Sequence, residues 1–170
     1  MNIAIASQQR AQRINLRLLK QIARALLAEL EIEHADIGVC LVGAPEMTRL
    51  NETFLKHAGS TDVIAFDYSE AGRAGSPLPA DGAHGVTRPT IHGEIFVCVD
   101  EAMVQARKFG TTWQSELVRY LVHGTLHLTG HDDRRPTVRR KMKREENRLL
   151  GKLSRRFALA QLSHTARISA

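Results

Sequence analysis

Cysteine and aromatic residues are scarce in this chain. Only Cys40 and Cys98 occur in 170 residues, each inside an apolar, strand-like run. A disulfide framework needs more cysteines and an oxidising compartment. The two thiols therefore read as small buried hydrophobes, and the protein as cytoplasmic. Aromatic residues make up 5% of the chain. The core must rest on Leu, Ile, Val and Ala, and base stacking is not expected to be the main source of affinity for any nucleic acid. No apolar run reaches the ~20 residues that a membrane-spanning helix needs, so no membrane role is expected. The segment Met1 to Ser7 has no basic flank followed by a long apolar stretch, which argues against a secretory signal. Also missing is the H-E-x-x-H pattern of the common zinc proteases, whose Glu is the general base.

What is present suits one compact domain: 43% of the 170 residues are hydrophobic, enough for a real core. Apolar spacing predicts a first strand over Ile3 to Ala6, a helix over Ile14 to Leu30 and a strand over Ile37 to Val42. A second helix begins at Pro45, and further strands cover Thr61 to Tyr68 and Ile91 to Val99. Between those last two strands, Ser69 to Pro89 is rich in Gly, Pro and Ala and is expected to be a long, mobile loop. Three helices follow: one to about Phe109, one over Trp113 to Thr129 ended by Gly130, and a basic one over about Pro136 to Leu150. The order predicts an α+β fold, a small mixed four-stranded sheet with helices packed on it. The domain is expected to span residues 1–153, and the weakly patterned basic tail 154–170 to be disordered.

Charge is distributed unevenly. The net charge is +6, yet the stretch from Arg134 to Arg156 holds eleven Lys or Arg against Glu145 and Glu146, so it carries +9 and the remainder −3. A local patch of that kind is the electrostatic footprint of a polyanion binder, and also of a solvated helix face.

The segment that carries chemistry is His123-Gly-Thr-Leu-His127-Leu-Thr-Gly130-His131-Asp132-Asp133. His123 and His127 lie four apart inside a predicted helix, hence one turn apart on one face, where two imidazoles can share a metal ion. A third ligand must come from His131, Asp132 or Asp133. On a straight helix His131 would lie ~12 Å along the axis from His123, at ~1.5 Å per residue, beyond the reach of one ion. Gly130 allows the chain to turn back.

This segment resembles the H-G-x-L-H-x-x-G-x-x-H motif of the YbeY family, with His123, Gly124, Leu126, His127 and Gly130 matching. Upstream, Leu50-Asn51 followed by Thr61-Asp62-Val63-Ile64-Ala65-Phe66 resembles a second family signature. Gly93-Glu94-Ile95-Phe96-Val97-Cys98-Val99-Asp100 resembles a third. The resemblance implies a zincin-like arrangement and a metal-dependent endoribonuclease with one divalent ion, zinc by preference. It also implies single-stranded RNA, a ribosomal RNA precursor, as substrate, a role in ribosomal RNA maturation and ribosome quality control, and the ribosome or its proteins as partners. The family's third ligand falls on Asp133, so the resemblance implies His123, His127 and Asp133 as the metal set, with His131 as competitor. The family often places a functional Arg after the aromatic at Phe54; here Leu55 stands there.

A three-ligand site leaves a coordination position for water and polarises a phosphoryl oxygen. Gly124 holds the place of the protease Glu, which weakens a metalloprotease reading. An RNA or ribosome assembly factor with a structural metal is the non-enzymatic alternative. No catalytic residue is assigned; Asp132, His131 and Glu94 are the candidates for general base.

Overall fold

The computed structural model describes residues 1–69 and 90–163. Four strands, β1 (Asn2–Ser7), β2 (His34–Val42), β3 (Val63–Asp67) and β4 (Thr90–Cys98), form one sheet in the order β1-β2-β4-β3. β1 and β4 both run parallel to β2, and β3 pairs antiparallel with β4 at the edge. The helices are α1 (Leu16–Glu29), α2 (Ala44–Leu50), α3 (Val99–Phe109), α4 (Trp113–Leu128) and α5 (Pro136–Arg156). This is the mixed four-stranded sheet with packed helices that the sequence predicts.

Strand alternation sorts the core onto two faces. Ile37, Val39 and Leu41 of β2 and Ile91, Ile95 and Val97 of β4 join the main core with α1, α4 and α5. Val42 and Cys98 face a smaller cluster, with Met47 and Leu50 of α2 and Ile64 of β3. α4 is buried through Leu117, Leu121 and Leu128, as its spacing predicts. Two glycines allow its close approach to the sheet. A Cβ on Gly124 would lie 2.6 Å from Ile95 Cγ2, and one on Gly93 would lie 2.3 Å from the Phe66 carbonyl oxygen and 2.8 Å from Leu128.

The second and third motifs brace this frame. Asn51, buried in the helical turn after α2, donates from its side chain to the Gly59 carbonyl at 2.8 Å and so fixes the approach to β3. Asp100, in the first turn of α3, accepts the Ala44 N–H at 2.7 Å and closes the start of α2.

Two sequence expectations change. Val99 begins α3 instead of ending β4, and the expected boundary at residue 153 is not a structural one. α5 continues through Gly151 to Arg156, and a short turn then buries Leu162 completely. The Asn15 N–H donates to the Leu162 carbonyl at 2.9 Å, and Ile14 bridges Ser163. The first part of the expected disordered tail is thus tied to the core by tertiary contacts that no local pattern announces. Its remainder, 164–170, and the expected loop from residue 70 to 89 lie outside the described residues.

Candidate metal centre

Thr112 caps the start of α4, its hydroxyl accepting the Ser115 N–H at 3.2 Å. Gly130 ends the helix at φ +84°, a left-handed conformation that favours glycine. The Gly130 N–H bonds the His127 carbonyl at 2.9 Å and the His131 N–H bonds the Leu126 carbonyl at 3.0 Å. That pair of bonds reverses the chain and returns residues 131–133 over the last turn of α4.

His123 and His127 project side by side, their Nε2 atoms 3.0 Å apart. Behind them, His123 Nδ1 lies 3.1 Å from Glu146 Oε2, and His127 Nδ1 lies 3.0 Å from the His131 carbonyl oxygen. An ionised carboxylate and a carbonyl only accept, so each ring carries its proton on Nδ1. Two Nε2 lone pairs then face each other across 3.0 Å. That arrangement is repulsive unless a proton or a metal cation lies between them. Asp133 completes the group: one ligand atom from each of His123, His127 and Asp133 lies within 4.8 Å of the others. Burial holds His127 below the ordinary imidazole range, and His123 pushes the same way. A neutral imidazole is the form that binds a metal. Two imidazoles and one carboxylate, with acceptors fixed behind both rings, are a donor set that fits a divalent transition metal.

Glu146 is the residue that sequence reasoning missed. It reaches α4 from the middle of α5 and is 3% exposed, which makes its charge expensive unless compensated. Burial alone would raise its pKa. Hydrogen bonds from His123, Lys143 and Arg119 override burial and bring the carboxyl down to about 2. Lys143 Nζ and Arg119 Nη1 each lie 2.7 Å from Glu146 Oε1. Arg119 Nη1 also lies 2.9 Å from Asn147 Oδ1, and its Nε lies 3.4 Å from the buried carboxylate of Glu116. A signal for Glu146 was present in the sequence, as an acid set in the apolar stripe Met142, Leu149, Leu150, Leu153 of a basic helix.

The structure does not bring the other candidates to the cluster. The His131 ring is turned to Thr129, Nδ1 to Oγ1 at 3.0 Å, and only its backbone serves His127. Asp132 accepts the Arg134 N–H at 3.0 Å and its Nε–H at 3.2 Å, and these bonds hold its carboxyl below the usual range. Glu94 alternates with Gly93 and Ile95 on β4 and so points away from α4; it accepts a hydrogen bond from the Tyr68 hydroxyl at 2.9 Å. Leu55, at the position of the family's Arg, is 45% exposed and carries no charge.

Beside the cluster lies a cavity of about 660 Å³ between α3, α4 and α5. Its lining follows α4 from His123, beside Asp133, past Tyr120 to Glu116, and takes in Phe109 and Thr111 at the α3–α4 turn and Asp62 ahead of β3. The Tyr120 hydroxyl is buried and has no hydrogen-bond partner among the described residues. Burial, with the charges of Asp62 and Glu116, pushes its pKa well up, so it remains a donor.

A family model described as endoribonuclease YbeY matches residues 3–154. Curated proteins named endoribonuclease YbeY are similar to this chain. That of Myxococcus xanthus is 38% identical over 135 residues, 79% of this chain but 42% of the relative, so the match spans less than half of that protein. That of Elusimicrobium minutum is 34% identical over 136 residues, 80% of this chain and 87% of the relative. That of Geobacter metallireducens is 29% identical over 157 residues, 91% of this chain and 97% of the relative. In fold, the chain resembles a Thermotoga maritima protein determined in solution, with TM-score 0.59, 23% identity and 99% of both chains covered.

Proposed function

The chain belongs to the YbeY endoribonuclease family, and on that premise we propose that it is a zinc-dependent endoribonuclease of single-stranded RNA. Its substrate is a ribosomal RNA precursor, and its setting is ribosomal RNA maturation and ribosome quality control in the cytoplasm, in contact with the ribosome. The metal is held by His123, His127 and Asp133 in a zincin-like arrangement, within a single domain. The observation that carries this reading is the pair of Nε2 atoms 3.0 Å apart, with the Asp133 carboxylate beside them.

A zinc ion bound there supplies Lewis acidity toward a phosphoryl oxygen and lowers the pKa of water to near ~7. The protein's own groups do the rest. Glu146 and the His131 carbonyl fix both rings in the tautomer that presents Nε2. Lys143 and Arg119 keep Glu146 ionised, so it orients His123 and does not take up a proton at neutral pH. Arg139 donates from Nε to the Asp133 carbonyl at 2.8 Å, which braces the ligand loop and holds a guanidinium beside it for a phosphate. The exposed cations of α5 continue that path for the RNA backbone.

The test is cleavage of single-stranded RNA by metal-loaded protein, chelated protein and His123→Ala protein in nuclease-free conditions. Cleavage is expected from the first alone, with RNA binding largely retained by the third. Equal cleavage by His123→Ala would overturn the enzymatic reading and leave an assembly factor in its place.

A further inference from the structure

The cavity beside the cluster has two differently charged ends. At the metal end, Arg139 is the lining cation that no carboxylate pairs among the described residues; its Nε is bonded to a backbone carbonyl. Farther in, two cations, Arg119 and Lys143, face three carboxylates, Glu116, Glu146 and Asp62. Arg119 and Lys143 are committed to Glu146, and Arg119 also to Glu116. The Thr111 hydroxyl is used by Glu116 at 2.7 Å. A second phosphate would find no free cation there. An uncharged, flat, partly polar group would find the Phe109 ring, which is 64% exposed at the rim in a chain poor in aromatics. It would also find the side chains of Met142 and Tyr120, which line the same cavity.

Spacing along α4 fits one nucleotide. Tyr120 is three residues before His123, ~5 Å along the axis, and Glu116 is seven before it, ~10 Å. A phosphate at the cluster therefore leaves its own sugar passing Tyr120 and its base at the Phe109 end. The volume of about 660 Å³ lies within the range of ~300–1,000 Å³ usual for small-ligand sites. Lys108 Nζ, 5.4 Å from the Phe109 ring centroid, brings a further cation to the rim, where the strand would leave.

We propose that this cavity is a nucleobase subsite. It seats the base adjoining the phosphate at the His123–His127–Asp133 cluster, stacked on Phe109. The position of the phosphate rests on the ribonuclease reading; the base site rests on the cavity. It selects for an unpaired base, since a base held in a duplex cannot enter, and so supplies single-strand preference without a sequence code.

Two experiments test it. In the first, metal-loaded protein is titrated with adenosine or uridine 5′-monophosphate and with ribose 5-phosphate, followed by amide NMR shifts around Phe109 and Tyr120. The nucleotides should bind about tenfold more tightly than ribose 5-phosphate, and Phe109→Ala should remove that margin. Phe109 is exposed, so this variant should fold normally. In the second, single-stranded RNA carries one abasic nucleotide at each position around the cut. Cleavage by the wild type should fall when the abasic residue adjoins the cut, and Phe109→Ala should make no further difference on that substrate. Equal affinity for nucleotide and ribose 5-phosphate, or a margin that survives Phe109→Ala, overturns the subsite. RNA cleaved without any abasic effect removes the subsite and leaves the nuclease standing. Base-dependent binding without cleavage removes the nuclease and leaves the subsite.

Discussion

Glu146 Oε2 lies 3.1 Å from His123 Nδ1, across a gap of 23 residues. It ties the middle of the basic helix to a proposed ligand, as the Arg139 bond to the Asp133 carbonyl ties its first turn. Glu146→Gln keeps the shape but not the charge. Outer partners of this kind typically change metal affinity by ~10–100-fold, and a loss in that range is expected, read by chelator competition. An unchanged affinity would mean that Glu146 only packs.

The same carboxylate predicts a pH dependence of stability in metal-free protein. Its pKa falls from an ordinary 4.5 to about 2 on folding, so its stabilisation is present above 4.5 and lost as the pH falls toward 2. The shift corresponds to roughly 3 kcal/mol at neutral pH. Urea melts at pH 6 and pH 3 should show wild type losing more stability than Glu146→Gln over that interval. Parallel losses would contradict the assignment.

The third ligand can be tested by ranking. Asp133 lies in the cluster, whereas the His131 ring is bonded to Thr129. Asp133→Ala should lower zinc affinity by at least the ~10-fold that even an outer partner can cost, and His131→Ala should change it less. The reverse order would place His131 on the metal.

Parts of this site were legible in the sequence and parts were not. The pairing of His123 with His127 follows from helical spacing, and the reversal at Gly130 from a backbone that needs positive φ. Spacing alone left His131, Asp132 and Asp133 open; only the family register singled out Asp133. Which of them turns inward depends on bonds made after the reversal, such as that between His131 and Thr129. Glu94 was a poor candidate for a reason already readable: strand alternation sets it opposite Ile95, which packs under α4. Glu146 could not be placed because nothing local says that α5 folds back along α4. The burial of Leu162 depends likewise on its carbonyl's bond to the Asn15 N–H and on the bridge from Ser163 to Ile14, almost the whole chain away.

Gly124 offers a stability test of the α4–sheet contact. Ala would gain about 1 kcal/mol of helix propensity over Gly. Its Cβ would sit 2.6 Å from Ile95 Cγ2 and 3.1 Å from Val63 Cγ2, both on β-branched side chains with little room to yield. Overpacking of this kind costs ~1–3 kcal/mol, so the net effect of Gly124→Ala should be destabilising, with a lower urea midpoint. A stabilised variant would mean that the helix is free to rise off the sheet.

The last prediction separates RNA capture from metal retention. Within the basic stretch from Arg134 to Arg156, Arg139, Arg140, Lys143 and Arg144 are alike in sequence as candidate backbone contacts, but the structure divides them. Lys143 holds Glu146 at 2.7 Å and Arg139 holds the Asp133 carbonyl at 2.8 Å, so replacing either would disturb the metal set as well as the RNA path. Arg140, Lys141 and Arg144 are exposed and belong to no ion pair among the described residues. The triple change to Ala should therefore leave metal content unaltered. For single strands, each phosphate contact contributes ~0.7 to the slope of log affinity against log salt, so three lost contacts should flatten that slope by about 2. Binding should weaken at low salt and converge with wild type at high salt. Fluorescence anisotropy of a labelled single-stranded RNA across a salt series measures both quantities. A parallel shift with unchanged slope would mean that these cations do not touch phosphate and that the RNA enters over another face.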